Sequence, residues 1–197
     1  MKVLFVVASY LVGAIPTGYL LIKIFSRKDI RNIGSGSTGA TNVLRYAGWR
    51  IAIPVMIFDL FKGFLPAYIA SRVLNAPNLA LIGVLAATIG HCYPVYIKFR
   101  GGKGVATSAG GFLYLAPLPL IISLSLTLLL LLFFRYVSLA TLIGFSLLPL
   151  WILLLERNQK LFILSLIMLM IILIRHKDNI RRLVAGTERK FGERIND

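Results

Sequence analysis

The sequence contains one cysteine, Cys92, and two histidines, His91 and His176. A lone cysteine excludes an intramolecular disulfide, and one Cys with two His cannot complete a conventional four-ligand structural zinc site. Acidic residues are scarce too: 7 Asp and Glu stand against 22 Lys and Arg, a formal charge of +15. In a soluble domain that imbalance suggests nucleic acid. The first apolar run, residues 3–25, follows Lys2 as a signal peptide would, yet it is long, holds Gly13, Pro16 and Gly18, and lacks a clear small-residue cleavage site. It is expected to be a retained span. No internal repeat relates the two halves.

Apolar residues are what the chain has in excess: 58% of 197, with a mean hydropathy of +0.84. They fall into runs at residues 3–25, 51–70, 79–97, 105–134, 137–155 and 161–174, too long for a globular core. The fourth run would be about 45 Å long as a helix against a hydrocarbon thickness of ~30 Å. It carries Ala116-Pro117-Leu118-Pro119 inside it, and splitting it there gives seven segments. The piece at 105–115, only ~16 Å long, cannot cross alone; it is read as a short helix packed in the bundle and entered from one side.

Charge decides between six and seven. With seven segments and the N-terminus outside, 17 of the 22 basic residues lie on the cytoplasmic side. Lys2, Arg72, Arg157 and Lys160 stay outside, and Lys62 lies within the second run. Six crossings would leave the basic residues from Arg175 onward outside. The expectation is therefore an all-α integral membrane protein: one polytopic domain over residues 1–197, a bundle of seven transmembrane helices, one of them short or half-spanning, with three polar motifs facing the cytoplasm. The basic excess then follows from membrane topology, and no nucleic-acid partner is expected.

The first polar stretch discussed is Gly101-Gly102-Lys103-Gly104-Val105-Ala106-Thr107. Three glycines let backbone N–H groups approach an anion, Lys103 supplies a charge and Thr107 a hydroxyl. It is not a Walker A loop, because the required glycine spacing and the strand before it are missing. Its bland reading is a basic membrane-flanking loop. Residues 34–45, GSGSTGATNVLR, combine early glycines, Gly34 and Gly36, with the hydroxyls of Ser35, Ser37 and Thr41, then Asn42 and Arg45. Arg45 shares a face with Thr41 if a helix starts near Thr38. Such a surface suits phosphate; the alternative is a Gly/Ser linker. In residues 175–190, His176, Asn179 and Arg182 recur at three-residue spacing, one side of a helix, and Gly186 is a C-terminal stop. A basic juxtamembrane tail explains the arginines but not His176, Asn179 and Glu188.

Six further residues have ready structural readings. Asp59 and Lys62, three apart in an apolar run, pair as neighbours on one helix face, although Lys62 could also meet an anion. His91, just before Pro94, is a helix-terminal hydrogen-bonding residue or a pocket member. Tyr93, Tyr96 and Phe99 read as an interfacial aromatic belt.

Taken together, these stretches resemble the bacterial membrane-embedded acyl-phosphate:glycerol-3-phosphate acyltransferases. The resemblance rests on GSGSTGATNVLR at 34–45, GHCYPVYIKFRGGKGVAT at 90–107 and RHKDNIRRLVAGTERK at 175–190, with GAIPTGYL at 13–20 and FDLFKGFLP at 58–66 in support. Ser37 stands where that family usually has Asn, and Arg100 where Lys is common. The resemblance implies transfer of a fatty acyl group from acyl phosphate to the 1-hydroxyl of glycerol 3-phosphate, giving 1-acylglycerol 3-phosphate and phosphate, at the cytoplasmic face of the bacterial inner membrane. It implies no cofactor and no metal. Its partners are the two substrates, membrane lipids and an upstream enzyme supplying acyl phosphate.

On that resemblance the acyl-phosphate head falls to Ser35, Ser37, Thr41, Asn42 and Arg45 with the Gly34 and Gly36 backbone. The glycerol phosphate falls to Gly101, Gly102, Lys103, Gly104 and Thr107, with Arg182 a further phosphate contact. His176 and Asn179 lie near the reacting hydroxyl, with Ser35, Arg45 and Lys103 also in the catalytic set, while Asp59, Lys62, His91 and Glu188 support. Neither histidine is followed by four residues and then Asp, since those positions are Tyr96 and Arg181. Proton transfer is open between His176 and a substrate phosphate. The competing classes are a transporter or flippase for phosphorylated metabolites or anionic lipids, which would use similar basic turns, and a lipid-binding structural protein.

Overall fold

The computed structural model describes residues 1–195, and among them every regular element is helical. Two of the breaks follow directly from proline. Ile15 precedes Pro16 and takes φ −58, ψ 114, which separates α1 (Lys2–Ala14) from α2 (Thr17–Ser26). Ala116 precedes Pro117 and takes φ −153, ψ 68, which separates α6 (Val105–Leu115) from α7 (Pro117–Phe134). In both cases the proline ring excludes the helical region for the residue before it. The expected interruption of the fourth apolar run is thus present, with Pro117 at the first turn of the new helix, where its missing N–H costs nothing.

The described residues divide into two compact units, Met1–Gly111 with Arg194 and Ile195, and Phe112–Glu193. In the first, α1 packs on α5 (Pro77–Cys92), and α4 (Trp49–Tyr68) packs on α5, α2 and α3 (Ala40–Ala47). Small residues permit these approaches. A Cβ on Gly13 would land on the Ala87 backbone, and one on Gly90 would land on the Tyr10 carbonyl. The start of α6 meets α4 the same way, Gly63 against the Thr107 carbonyl and Gly110 against the Leu60 carbonyl. Backbone contact of this kind is how helices gain packing energy where lipid removes the hydrophobic driving force. A small apolar core of Ile22, Ile30, Val43, Ala52 and Val55 fixes α3 beneath the loop that precedes it.

In the second unit α7 packs on α8 (Val137–Leu155), α8 on α9 (Gln159–Arg175), and α10 (Lys177–Val184) on both α8 and α9. The outer residues of α7, Leu128, Leu129, Leu132 and Phe133, are exposed, as a lipid-facing surface requires. Asn158 caps α9 by accepting from the Lys160 and Leu161 N–H groups at 3.0 and 3.2 Å. At its other end α9 turns into α10 through a 62° bend at His176.

Five stretches among the described residues are long and apolar enough to cross a membrane: Lys2–Ser26, Trp49–Val73, Pro77–Ile97, Pro117–Phe134 and Val137–Leu155. The bent pair α9 and α10 makes a sixth if counted as one span. α6, with 11 residues, is apolar but short.

Candidate active site

The loop leading into α3 is shaped by two left-handed glycines and one amide. Gly34 and Gly36 have φ +62 and +69, a conformation glycine adopts at no steric cost. Asn42, expected on phosphate, is instead engaged by the loop itself. Its Oδ1 accepts the Ser35 N–H at 3.0 Å, and its Nδ2 donates to the Ile33 and Ser37 carbonyls at 3.0 and 2.9 Å. The residue is buried, so its side chain sets the loop's form. Ser35 and Thr41 are half-buried; the Ser37 hydroxyl accepts the Gly39 N–H at 3.3 Å. Arg45 lies in the last turn of α3, 7% exposed, and its carbonyl accepts the Ile195 N–H at 3.0 Å. The helix starts at Ala40, two residues after the expected position, with Gly39 before it.

Against the second glycine turn lies a cluster of ionisable residues, two inside apolar α4 and one in the last turn of α5. Asp59 and Lys62 on α4 form an ion pair at 2.6 Å, and the Lys62 ammonium also donates to the Ile15 carbonyl at 2.5 Å. That carbonyl, beside the break at Pro16, also accepts the Thr17 N–H at 3.0 Å. His91 on α5 brings Nδ1 to 3.6 Å from the same Asp59 oxygen. All three are buried. The backbone carbonyl of His91 accepts the Gly102 N–H at 3.0 Å, and a Cβ on Gly102 would fall on the His91 ring. Asp59 thus orients His91, and His91 seats the glycine turn at both backbone and ring.

After that turn, Gly104 takes φ +84 and its carbonyl accepts the Ser108 N–H at 2.8 Å, starting α6. Lys103, half-buried, therefore precedes the amino-terminal N–H groups of α6 directly, an arrangement favourable to anions. Thr107 is fully buried, and its hydroxyl has no hydrogen-bond partner among the described residues.

In the second unit, Glu188 gathers three donors. Ser138 Oγ and Asn179 Nδ2 donate to Oε1 at 3.0 and 2.8 Å, and Arg182 Nε donates to Oε2 at 2.7 Å. Burial alone would raise the carboxyl's pKa, but the hydrogen bonds from Arg182, Asn179 and Ser138 and the Arg182 charge hold it below the ordinary carboxylate value. The chain reaches Glu188 by a tight helix stop: Gly186, φ +69, donates to the Leu183 carbonyl and Thr187 to the Arg182 carbonyl at 3.2 and 2.8 Å. His176 sits at the bend between α9 and α10, 3% exposed. Its Nδ1 is 2.8 Å from the Ile172 carbonyl. A carbonyl only accepts, so Nδ1 carries the proton, and in the neutral ring the lone pair lies on Nε2.

A family model described as glycerol-3-phosphate acyltransferase matches residues 3–186. The chain belongs to the glycerol-3-phosphate acyltransferase family. Among curated members of this family, the acyltransferase of Syntrophotalea carbinolica is 42% identical over 93% of this chain and 94% of its own. That of Fusobacterium nucleatum subsp. nucleatum is 43% identical over 95% and 96%. The fold matches a crystal structure of PlsY (YgiH), described as an integral membrane glycerol 3-phosphate acyltransferase in its glycerol 3-phosphate form. Agreement there is TM-score 0.91, 34% identity, 97% of this chain and 96% of that one. The lysophosphatidic acid form of PlsY gives TM-score 0.88, 33% identity, and coverage of 98% and 96%. This glycerol-3-phosphate acyltransferase is therefore a multi-pass membrane enzyme of phospholipid synthesis, and the transporter and structural-protein alternatives fall away.

Several contacts escaped sequence reasoning. Ser138 is one serine in an apolar run, with nothing local to tie it to Glu188, 50 positions on. The approach of His91 to Asp59 and the use of Asn42 inside its own loop are likewise products of packing. Only the i, i+3 spacing of Asp59 and Lys62 was readable in advance.

Proposed function

We propose that the enzyme moves a fatty acyl group from acyl phosphate to the 1-hydroxyl of sn-glycerol 3-phosphate, releasing lysophosphatidic acid and inorganic phosphate. The relatives' activity and the glycerol 3-phosphate and lysophosphatidic acid forms of PlsY support the acceptor and the product. The donor is the one that the resemblance of the motifs at 34–45, 90–107 and 175–190 implies, and the chain's chemistry suits it. An acyl phosphate is already an activated anhydride, so positioning and charge stabilisation are sufficient, and the motifs provide cations, N–H donors and hydroxyls.

The observation that carries the mechanism is the fixed tautomer of His176. With Nδ1–H held by the Ile172 carbonyl, Nε2 is the basic atom. As the acceptor's 1-hydroxyl oxygen bonds to the acyl carbon, its proton passes to Nε2; the bond from that carbon to the phosphate oxygen breaks, and the proton leaves with the phosphate. Asn179 lies one helical turn from His176 and is held by Glu188. Arg45 and the turn at residues 101–104 with Lys103 bind phosphate charge in the first unit, with Ser35 and Thr41 as hydroxyl donors. Arg182, anchored by Glu188, offers a cation in the second. Asp59, Lys62 and His91 support the glycine turn.

The topology we infer is N-terminus outside and C-terminus cytoplasmic, with seven segments, α6 being the short one, in the bacterial inner membrane. The distribution of basic residues supports it. Purified enzyme given acyl phosphate and glycerol 3-phosphate is expected to release phosphate only when both are present. Release that does not depend on glycerol 3-phosphate overturns the proposal. Arg45→Ala and Lys103→Ala are each expected to slow turnover about 30-fold, half of a ~4 kcal/mol charge interaction at 4 Å, in protein that remains monodisperse.

A further inference from the structure

A cleft in the first unit uses none of the motif residues placed in the reaction. It has a volume of about 470 Å³ and is lined by Tyr19, Arg31, Tyr96, Ile97, Lys98 and Arg100, a size that suits a small polar head. Its wall is built rather than incidental. The Arg31 guanidinium grips the Asp29 carboxylate at 2.6 Å, donates through Nη1 to the Ile97 carbonyl at 3.0 Å, and stacks 4.9 Å from the Tyr19 ring centroid. One side chain thereby ties α2 and the turn at Ile30–Asn32 to the turn at Val95–Ile97.

Asp29 matches the charge of Arg31, so the unmatched cations of the cleft are Lys98 and Arg100. Both are exposed, and neither has an ion-pair partner among the described residues. Lys98 and Phe99 lie consecutively at φ +57 and +60, with the Phe99 N–H fixed on the Pro94 carbonyl at 2.9 Å. Side chains other than glycine rarely adopt this conformation, and two in succession must be imposed by the surroundings; such strain collects at binding sites. Two cations and two tyrosines around an open cleft are the complement of a phosphate monoester, which carries nearly two negative charges at neutral pH.

We propose that this cleft is a second phosphate-monoester site, which adjoins the glycine turn at 101–104 in sequence but is lined by none of the residues placed in acyl transfer. The ligand is either the head of a lipid such as lysophosphatidic acid or a soluble phosphate, since both present the same group. The proposal rests on the acyl-transfer reading only for the binding event at the reaction site itself.

The test is equilibrium binding of radiolabelled lysophosphatidic acid to the full-length enzyme in phosphatidylcholine nanodiscs. Wild type is expected to bind two equivalents and Arg45→Ala to weaken one of them. The Lys98→Gln/Arg100→Gln variant is expected to lose the other while turnover stays within about twofold of wild type. Lys98→Gln alone, which keeps Arg100, should weaken that second equivalent about fivefold, the loss equivalent to the ~1 kcal/mol per surface cation toward anionic lipid. If inorganic phosphate displaces the Lys98-dependent equivalent at the same concentration as the lipid, the ligand is soluble. If it requires at least about tenfold more, equivalent to a 1.4 kcal/mol preference, the ligand is a lipid head. Either result supports the site. Retention of both equivalents by the double variant overturns it, as does equal displacement by phosphatidylglycerol, a diester. Wild-type phosphate release from acyl phosphate, measured in the same nanodiscs, reports on the acyl-transfer reading separately.

Discussion

Asp59 and Glu188 are both buried carboxylates that collect donors from several elements, but they work in different media. Asp59 sits midway along an apolar helix, where its partners are the two ionisable groups Lys62 and His91. Glu188 lies beyond the spans and holds one cation, Arg182, with two neutral donors, Ser138 and Asn179. The first cluster has no water to fall back on, so its charges must remain paired for the helices to pack. In the second, Arg182 is 31% exposed and can turn to solvent if its carboxylate partner is lost. The contrast supports the proposed division of labour, in which the Asp59 cluster serves chiefly stability, acting on the glycine turn through His91, and the Glu188 cluster chiefly holds Asn179 and Arg182 for turnover.

The most severe test removes one half of the buried pair. Lys62→Met leaves the Asp59 carboxylate with His91 alone and is expected to cost about 3–5 kcal/mol. That should appear as a large fall in the thermal unfolding midpoint of detergent-purified protein, or as loss of monodisperse protein. The double variant Asp59→Asn/Lys62→Met removes the charge as well and should recover most of the loss. A double variant no more stable than Lys62→Met would show that the pair does something other than cancel buried charge.

A change at His176 should reverse the pattern, with turnover lost and the fold kept. His176→Ala is expected to lower kcat at least ~100-fold, the lower range for a general base. His176→Gln keeps a hydrogen-bonding group but takes no proton at neutral pH. If the glutamine variant retains most of the activity, His176 only orients substrate and a phosphate oxygen is the base.

The long helices and one of the two proline breaks were legible in the sequence because their causes are local; the break at Pro16, inside a run expected to be one span, was not. Apolar runs mark the long helices, and Pro117 marks the division between α6 and α7. The 62° bend at His176 has no such marker, since no proline or glycine stands there; it follows from how α10 packs on α8 and α9. Motif membership was equally legible, but the jobs within a motif were not. Asn42 and Arg45 look alike as polar residues of one loop, yet the first forms the loop and the second remains as its buried cation. Nothing in a linear string reports which amide will find three backbone partners.

Smaller effects probe the Glu188 side. Glu188→Gln keeps a carbonyl for Asn179 and Ser138 but loses the charged bond to Arg182. Hydrogen bonds to a charged group contribute about 1.5–3 kcal/mol, so a loss of roughly tenfold or more in kcat/KM is expected, with the unfolding midpoint changed far less than in Lys62→Met. Equal destabilisation in the two variants would erase the distinction between the clusters.

The mildest prediction concerns pH, and its sign follows from the direction of the Glu188 shift. The folded carboxyl titrates below its ordinary value of 4.5, so the folded state holds fewer protons than the unfolded chain as pH drops through that region. The stabilisation is therefore fully present above about pH 4.5 and is lost as pH falls through the lower folded value. Asp29, lowered by its hydrogen bonds to Arg31, adds a limb of the same sign, so the wild-type curve alone does not isolate Glu188. The difference between wild type and Glu188→Gln does, because Asp29 is common to both. That difference in unfolding midpoint should be constant from pH 7 to about pH 5 and shrink below pH 4.5 as the wild-type carboxyl protonates. A difference that instead shrinks as pH rises toward 7 would mean that Glu188 binds its proton more tightly in the folded state, and the Arg182 clamp would not be what holds it.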